Sequence, residues 1–374
     1  VYNFLSSTLN MHPCWMRSEL LMPNALLSEL ALQYPIIQAP MAGTSTVALA
    51  AAVSNAGGLG SLGLGNCNVE QAREQIQQLQ QATTKPFNVN FFCHQPALSD
   101  PAREQEWLTL LQPYFAEFSA QPPSHMSAGV PSFIDNPAML EMLLEERPPV
   151  VSFHFGLPST AVIQALKQAG IKLLGCATNV TEAQAICAAG LHGVIAQGHE
   201  AGGHRGVFDL SQDVKLGLFS LLQLLKKECS LPVIAAGGIM HGQAIAQVMA
   251  MGASAVQMGT SFILCPESAA NQAYRTQLKS SRAYNTEVTA VISGRPARGL
   301  VNRFHTQLAD KQAMLPAYPT TYSAGKALYA AASQQGCYDF APFWAGQSAP
   351  LARELPATEL VAQLVAEWQQ ASTH

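Results

Sequence analysis

The sequence predicts an α/β fold: a (β/α)8 barrel of the TIM type, with an insert after the third strand and a mainly helical lobe at the C-terminus. Two observations carry this expectation. Eight short apolar runs alternate with amphipathic stretches between residue 35 and about residue 260. The runs are bounded by Gly, Pro or Asn, as strands covered on both faces by helices are. Eight strand–helix units over roughly 225 residues suit a closed barrel. A doubly wound sheet usually has fewer strands and an early glycine fingerprint, so it is the weaker reading.

In chain order the expected strands are 35–39, 58–62, 87–91, 150–153, 172–175, 193–196, 232–236 and 255–258. Amphipathic spacing predicts helices over 69–81, 159–169, 181–189, 214–227 and 242–251. The segment from His94 to about Arg147 is longer than one crossover needs and contains Pro- and Ser-rich pieces, so it reads as an insert over the barrel mouth. The expected domains are an N-terminal extension over 1–30, the barrel over 31–265, and a helical lobe over 266–374 closing on the active site.

Composition narrows the function classes. Of 374 residues, 48% are hydrophobic and 12% charged, which allows a large core and excludes wholesale disorder. A net charge of -4 without any Lys/Arg block argues against a nucleic-acid partner. No run of 18 apolar residues is present to span a membrane. The first residues show neither the basic start nor the clean apolar stretch of a signal peptide. Eight cysteines, with no CxxC and no zinc-ligand spacing, read as reduced thiols and not as a metal site. The expectation is a cytoplasmic enzyme acting on a small molecule, as monomer or homodimer.

Barrel chemistry sits where strands end. The seventh and eighth strands end in Gly237-Gly238 and Met258-Gly259-Thr260, where backbone N–H groups can approach a phosphate closely. There is no GxGxxG after the first strand and no GxxxxGKS/T, so a mononucleotide flavin or a sugar phosphate fits better than NAD or ATP. Asn90 and Gln197 end the third and sixth strands. Their amides suit the polar edge of a flavin, or else tie down neighbouring loops. Ala39, Pro40 and Met41 follow the first strand and offer main chain and an apolar surface.

The segment 197–204 is the densest in functional groups. Gly202 and Gly203 leave space beside His204, a residue type able to remove a proton or hold developing negative charge. A structural role is the alternative. His199, Glu200 and His204 lack the helical HExxH spacing of a zinc site. His154, at the end of the fourth strand, is a second candidate, and His94 opens the insert near the mouth.

Five segments in this order, YPIIQAPMAG from Tyr34, PFNVNFF from Pro86, QGHEAGGHRG from Gln197, LPVIAAGGI from Leu231 and SAVQMGTSFI from Ser254, resemble the nitronate monooxygenase family, formerly called 2-nitropropane dioxygenases. SGRPARGLVNRF at 293–304, AYPTTYSAGK at 317–326 and FWAGQSA at 343–349 look like its bacterial class I members. The resemblance implies an FMN-dependent barrel that oxidises alkyl nitronates of the propionate 3-nitronate type with O2, by way of a flavin semiquinone, to a carbonyl compound and nitrite. It implies that FMN is met by Asn90, Gln197, Gly202, Gly238, Gln257, Met258, Gly259 and Thr260, beside Gly203, Gly237 and the 39–41 segment. His204 would be the active-site histidine. Tyr318, Tyr322 and Lys326, four residues apart, would face substrate together with His154. Bacterial relatives carry a further tyrosine in the insert after the third strand, whereas 121–146 has none and Tyr114 lies earlier. An FMN-dependent NAD(P)H:quinone or enoyl-thioester reductase shares the phosphate and histidine segments and is the alternative. The tyrosine–lysine segment favours the nitronate reading.

Overall fold

The structure is a computed structural model and describes residues 24–373 apart from 97, 128 and 130. Most of the predicted extension, residues 1–23, lies outside the described residues. The barrel strands are β1 (Ile36–Gln38), β2 (Gly60–Gly63), β3 (Phe87–Phe92), β4 (Val150–His154), β5 (Lys172–Ala177), β6 (Gly193–Gln197), β8 (Val233–Ala236) and β9 (Ala255–Met258). All pair in parallel, in the order β1-β9-β8-β6-β5-β4-β3-β2. A parallel bridge from Ile37 to Leu59 joins the two ends of that row, with Gln38 N–H donating to Leu59 O and Leu59 N–H to Ile36 O, each 2.9 Å. The fold is therefore a (β/α)8 barrel.

Side-chain alternation divides the interior into two layers. On β3, Phe87, Val89 and Phe91 point into the shell between sheet and helices. Asn88 and Asn90 point into the lumen, where Asn88 Nδ2 donates to Ser61 Oγ at 3.1 Å. The outer shell comprises α2 (Val47–Asn55), α3 (Val69–Ala82), α5 (Pro137–Glu146), α6 (Thr160–Gln168), α7 (Val180–Ala188), α8 (Leu218–Glu228) and α9 (Gly242–Ala250). Several start where a side chain satisfies a free N–H of the first turn, such as Asn68 before α3 and Ser159 before α6. The lower lumen is apolar, and α1 (Ala25–Glu29) closes it from below. Its Leu26 and the following Leu30 pack with Ile37, Leu174, Ile195 and Ile234, and Asn24 Nδ2 donates to Ser254 O at 2.6 Å.

Of the stretch 266–374, the last helix, α13 (Ala357–Ala371), takes the place of the eighth barrel helix. Its Leu360, Val361, Leu364 and Val365 enter the sheet–helix core. Each such side chain, fully buried, contributes about 1.5–3 kcal/mol. Gly242 lets α13 close in: a Cβ there would lie 2.2 Å from Trp368 N. The lobe is thus the chain between β9 and α13. It holds α10 (Gln272–Leu278), α11 (Arg303–Gln307), α12 (Thr320–Gln334), and the strands β10 (Thr286–Thr289) and β11 (Ala297–Leu300). These strands pair antiparallel, and β11 also pairs with β7 (Gly203–His204), which ties the lobe to the barrel. From the insert after β3, α4 (Pro101–Ala116) sets Trp107, Leu111 and Phe115 against Leu328, Ala332 and Phe340 of the lobe. Insert and lobe share one core and form one cover. No helix among the described residues is long and apolar enough to cross a membrane.

Candidate active site

A cavity of ≈ 550 Å³ lies between the C-terminal ends of the barrel strands and the cover. The sequence-predicted residues Ala39, Pro40, Met41, Asn90, His154, Gln197, Gly202, Gly203 and His204 all line it. So do Gly237, Gly238, Gln257, Met258, Gly259, Thr260, Tyr318, Tyr322 and Lys326. Together with Gly65 and Asn66 after β2 and Cys176 of β5, residues from all eight barrel strand ends and from the lobe are brought to one chamber.

One end of the chamber is made of backbone. Gly237 and Gly238 take φ of +121° and +72°, conformations in which other residues are strained. A Cβ on Gly202 would lie 2.5 Å from Gly346 N, so only glycine allows these two segments to touch. Gly346 N–H donates to Thr260 Oγ1 at 3.0 Å and Gln347 N–H to Glu200 O at 3.0 Å. The lobe is thus fastened beside the ends of β8 and β9. The Glu200 carboxylate accepts the Leu218 N–H at 3.0 and 2.9 Å, satisfying the start of α8. Among the described residues no group of three or more His, Cys, Asp or Glu side chains has metal-site geometry.

The three amides differ. Asn90 Nδ2 donates to Ser152 O at 3.1 Å and Ser152 Oγ at 2.9 Å, while its Oδ1 receives no donor among the described residues. Gln257 Oε1 is buried with no partner among the described residues, a costly state for a polar atom. Gln197 ties down its own loop, one of the two roles its strand-end position offers. Its Nε2 donates to His204 O at 3.0 Å and its Oε1 accepts from Gly206 N at 2.8 Å. The buried Arg205–Asp213 ion pair at 3.0 Å holds the same loop.

The other end is a chamber of rings. His204 lies against Phe155, Tyr318, Tyr322 and Trp344, with centroid distances of 5.8, 5.6, 6.2 and 5.3 Å. Its Nε2 is 2.9 Å from Ser293 Oγ. Burial, reinforced by His154 and the Arg295 cation, lowers the His204 pKa to about 3, so the ring is neutral at neutral pH. Burial likewise lowers His154 and His94 to about 4. His154 Nε2 is 3.2 Å from His204 O. Burial raises the Tyr318 and Tyr322 phenols, keeping both as O–H donors. Lys326 is exposed at the rim, with Nζ 4.8 Å from the Tyr322 ring centroid.

Several residues of this chamber were missed in the sequence. Phe155 follows β4 with φ +71°, rare for a bulky residue, and its ring carries the Arg295 guanidinium at 4.4 Å. Arg295 is buried with no carboxylate within 4 Å among the described residues, and its Nε has no partner. Burial lowers its pKa to about 10, which leaves it charged. Trp344 and Tyr274 line the cavity, and the Tyr274 hydroxyl donates to Trp344 O. The insert contributes His94, Ser127 and Gly129 to the lining, whereas Tyr114 packs against Phe340 in the cover.

The family profile described as Nitronate monooxygenase matches residues 24–367. The chain belongs to the nitronate monooxygenase family. It is 55% identical over 348 residues to a nitronate monooxygenase of Paraburkholderia phytofirmans, covering 92% of this chain and 95% of that one. It is 55% identical over 340 residues to one from Pseudomonas aeruginosa, covering 90% and 97%. A solved nitroalkane oxidase from Streptomyces ansochromogenes superposes with a TM-score of 0.86 at 40% identity, over 93% of this chain and 99% of that one. The chain is accordingly an oxidoreductase of the nitronate-oxidising class.

Proposed function

We propose that this chain binds FMN and oxidises alkyl nitronates of the propionate 3-nitronate type with O2, yielding a carbonyl compound and nitrite. The observation that carries this reading is the division of a single cavity. A glycine-built corner where Gln257 Oε1 is buried with no partner among the described residues forms one end, and a ring-walled chamber with neutral His204 forms the other. The residues present fit FMN. Backbone at Gly237-Gly238 and Gly259-Thr260, beside Gly202 and Gly203, would hold the phosphate. Asn90 Oδ1, Gln257 and the remaining Gln197 N–H would meet the polar ring edge, with Ala39, Pro40 and Met41 against its apolar part. When bound, FMN supplies the electron transfer from nitronate to O2.

The protein's own work is electrostatic and steric. A nitronate is anionic, and the phenols of Tyr318 and Tyr322, the Lys326 ammonium and the Arg295 charge behind Phe155 favour it in the chamber. The cover excludes bulk water and strengthens those interactions. A neutral nitroalkane needs its α-proton removed first, and the neutral His204 ring is the base for that step.

The experiment is a steady-state assay on the full chain after FMN loading, following oxygen uptake and nitrite release with a nitronate. NADH is tested separately without oxygen. Expected are a yellow protein, nitrite release and no bleaching by NADH. A colourless protein that refuses FMN defeats the cofactor assignment, and rapid bleaching by NADH favours the reductase alternative.

A further inference from the structure

The turn before β11 delivers Ser293 to His204, and hydrogen-bond accounting there fixes a proton. Ser293 is fully buried. Its hydroxyl has one proton, and Arg295 O takes it at 3.0 Å. That carbonyl has no other donor among the described residues, so giving the proton elsewhere would leave a buried acceptor unpaired. Ser293 Oγ therefore faces His204 Nε2, at 2.9 Å, as an acceptor. The ring proton must then sit on Nε2. Because burial keeps the imidazole neutral, it has only that one proton, and Nδ1 carries a lone pair. Among the described residues Nδ1 has no hydrogen-bond partner, and His204 lines the cavity. The backbone of the same residue is held from two sides, since His204 O meets Gln197 Nε2 at 3.0 Å and His154 Nε2 at 3.2 Å. Ring rotation is opposed by the aromatic wall of Phe155, Tyr318 and Trp344.

We infer that Ser293 is a positioning residue that holds the His204 proton on Nε2 and so presents Nδ1 as the basic atom to substrate. The part concerning substrate rests on the proposed function, and the part concerning the proton does not. Ser293 touches neither substrate nor cofactor in this assignment. It selects which nitrogen of His204 is able to accept a proton, as tautomer control does in other histidine-dependent sites.

The test is nitrogen NMR of the full chain labelled with 15N-histidine, with and without FMN, the His204 signals being assigned by their loss in His204→Asn. In the native protein Nε2 is expected at the shift of a protonated ring nitrogen and Nδ1 at that of a bare one. In Ser293→Ala both signals should move toward the average of a tautomer mixture, and Ser293→Thr should restore the native pattern. A proton found on Nδ1 of the native protein overturns the inference. So does a Ser293→Ala spectrum in which the His204 signals stay in place. If Ser293→Ala does not fold, Ser293→Cys, close in size and weaker as an acceptor, makes the same comparison. Failure of the functional reading would look different: the tautomer would be as expected, yet the native chain loaded with FMN would release no nitrite from a nitronate.

Discussion

The two ends of the cavity are built from different materials. At the β8–β9 end the wall is main chain: glycines with positive φ, a backbone approach that a methyl group would block, and hydrogen bonds made by N–H groups. At the opposite end the wall is of side chains that meet only after folding, namely His204 from β7, Phe155 after β4, Tyr318 just before α12 and Tyr322 within it, and Ser293 and Arg295 from one turn. At the backbone end, Gly202 and Gly237 leave no room for a Cβ, which would lie 2.5 and 3.0 Å from the nearest atoms, and Gly237, Gly238 and Gly203 hold positive φ. The side-chain end has replaceable parts, each setting charge or proton position. The difference teaches that cofactor retention and chemical selectivity should be separable by mutation.

The sharpest separation should come from His204→Asn. Turnover of a neutral nitroalkane should fall by about 10²–10⁴, the usual size of a general-base contribution, while FMN stays bound. Nitrite release and the flavin spectrum read the two effects. Loss of the flavin in this variant would break the division. From the other end, Gly237→Ala introduces a Cβ 3.0 Å from Ala201 N at a φ of +121°. Strain of about 1–3 kcal/mol should weaken FMN binding by roughly 5- to 150-fold, read by fluorescence titration of the apoprotein, with the His204 tautomer unchanged.

A third outcome concerns pH. His94, His154 and His204 have ordinary pKa values of 6.5, lowered in the folded protein to about 4, 4 and 3. Between these limits the unfolded chain binds more protons than the folded one, so stability rises with pH there. It should be fully present above about pH 6.5 and fall progressively toward about pH 3. Urea unfolding at a series of pH values checks this, and His154→Phe should flatten the slope. The smallest effect is expected for Lys326→Met. This ammonium is exposed and screened, so KM for an anionic nitronate should rise only a few-fold, and less at high salt.

The contrast also explains what could be read in advance. All eight barrel strands lie within about two residues of their predicted bounds, because a buried parallel strand imposes a local apolar run with glycine or proline at its edges. Strand ends then pointed to the cavity lining. What escaped depended on tertiary placement. Strands β10 and β11, Thr-Glu-Val-Thr and Ala-Arg-Gly-Leu, contain no apolar run and exist because they pair with each other and with β7. Phe155 had a weak local signal, a bulky residue before Gly156 at the end of a strand. Ser293 and Arg295 appeared only within a segment that resembled the family, since nothing in the chain nearby says that His204, 89 residues away, will be their neighbour. Gln197 carried two meanings; its hydrogen bonds to the 204–206 segment establish the loop tie, and the flavin contact belongs to the proposed function.

The place of α13 has a consequence for how the molecule is made. The last stave of the cask is cut late: a nascent chain that has emerged only through β9 still lacks the helix that packs against α2 and α9 on that flank. Everything between β9 and α13 must be synthesised before the wall is whole. Ordinary vectorial folding, domain after domain from the N-terminus, is therefore denied to this chain. A ribosome that stops short of residue 357 leaves the barrel wall without its eighth helix.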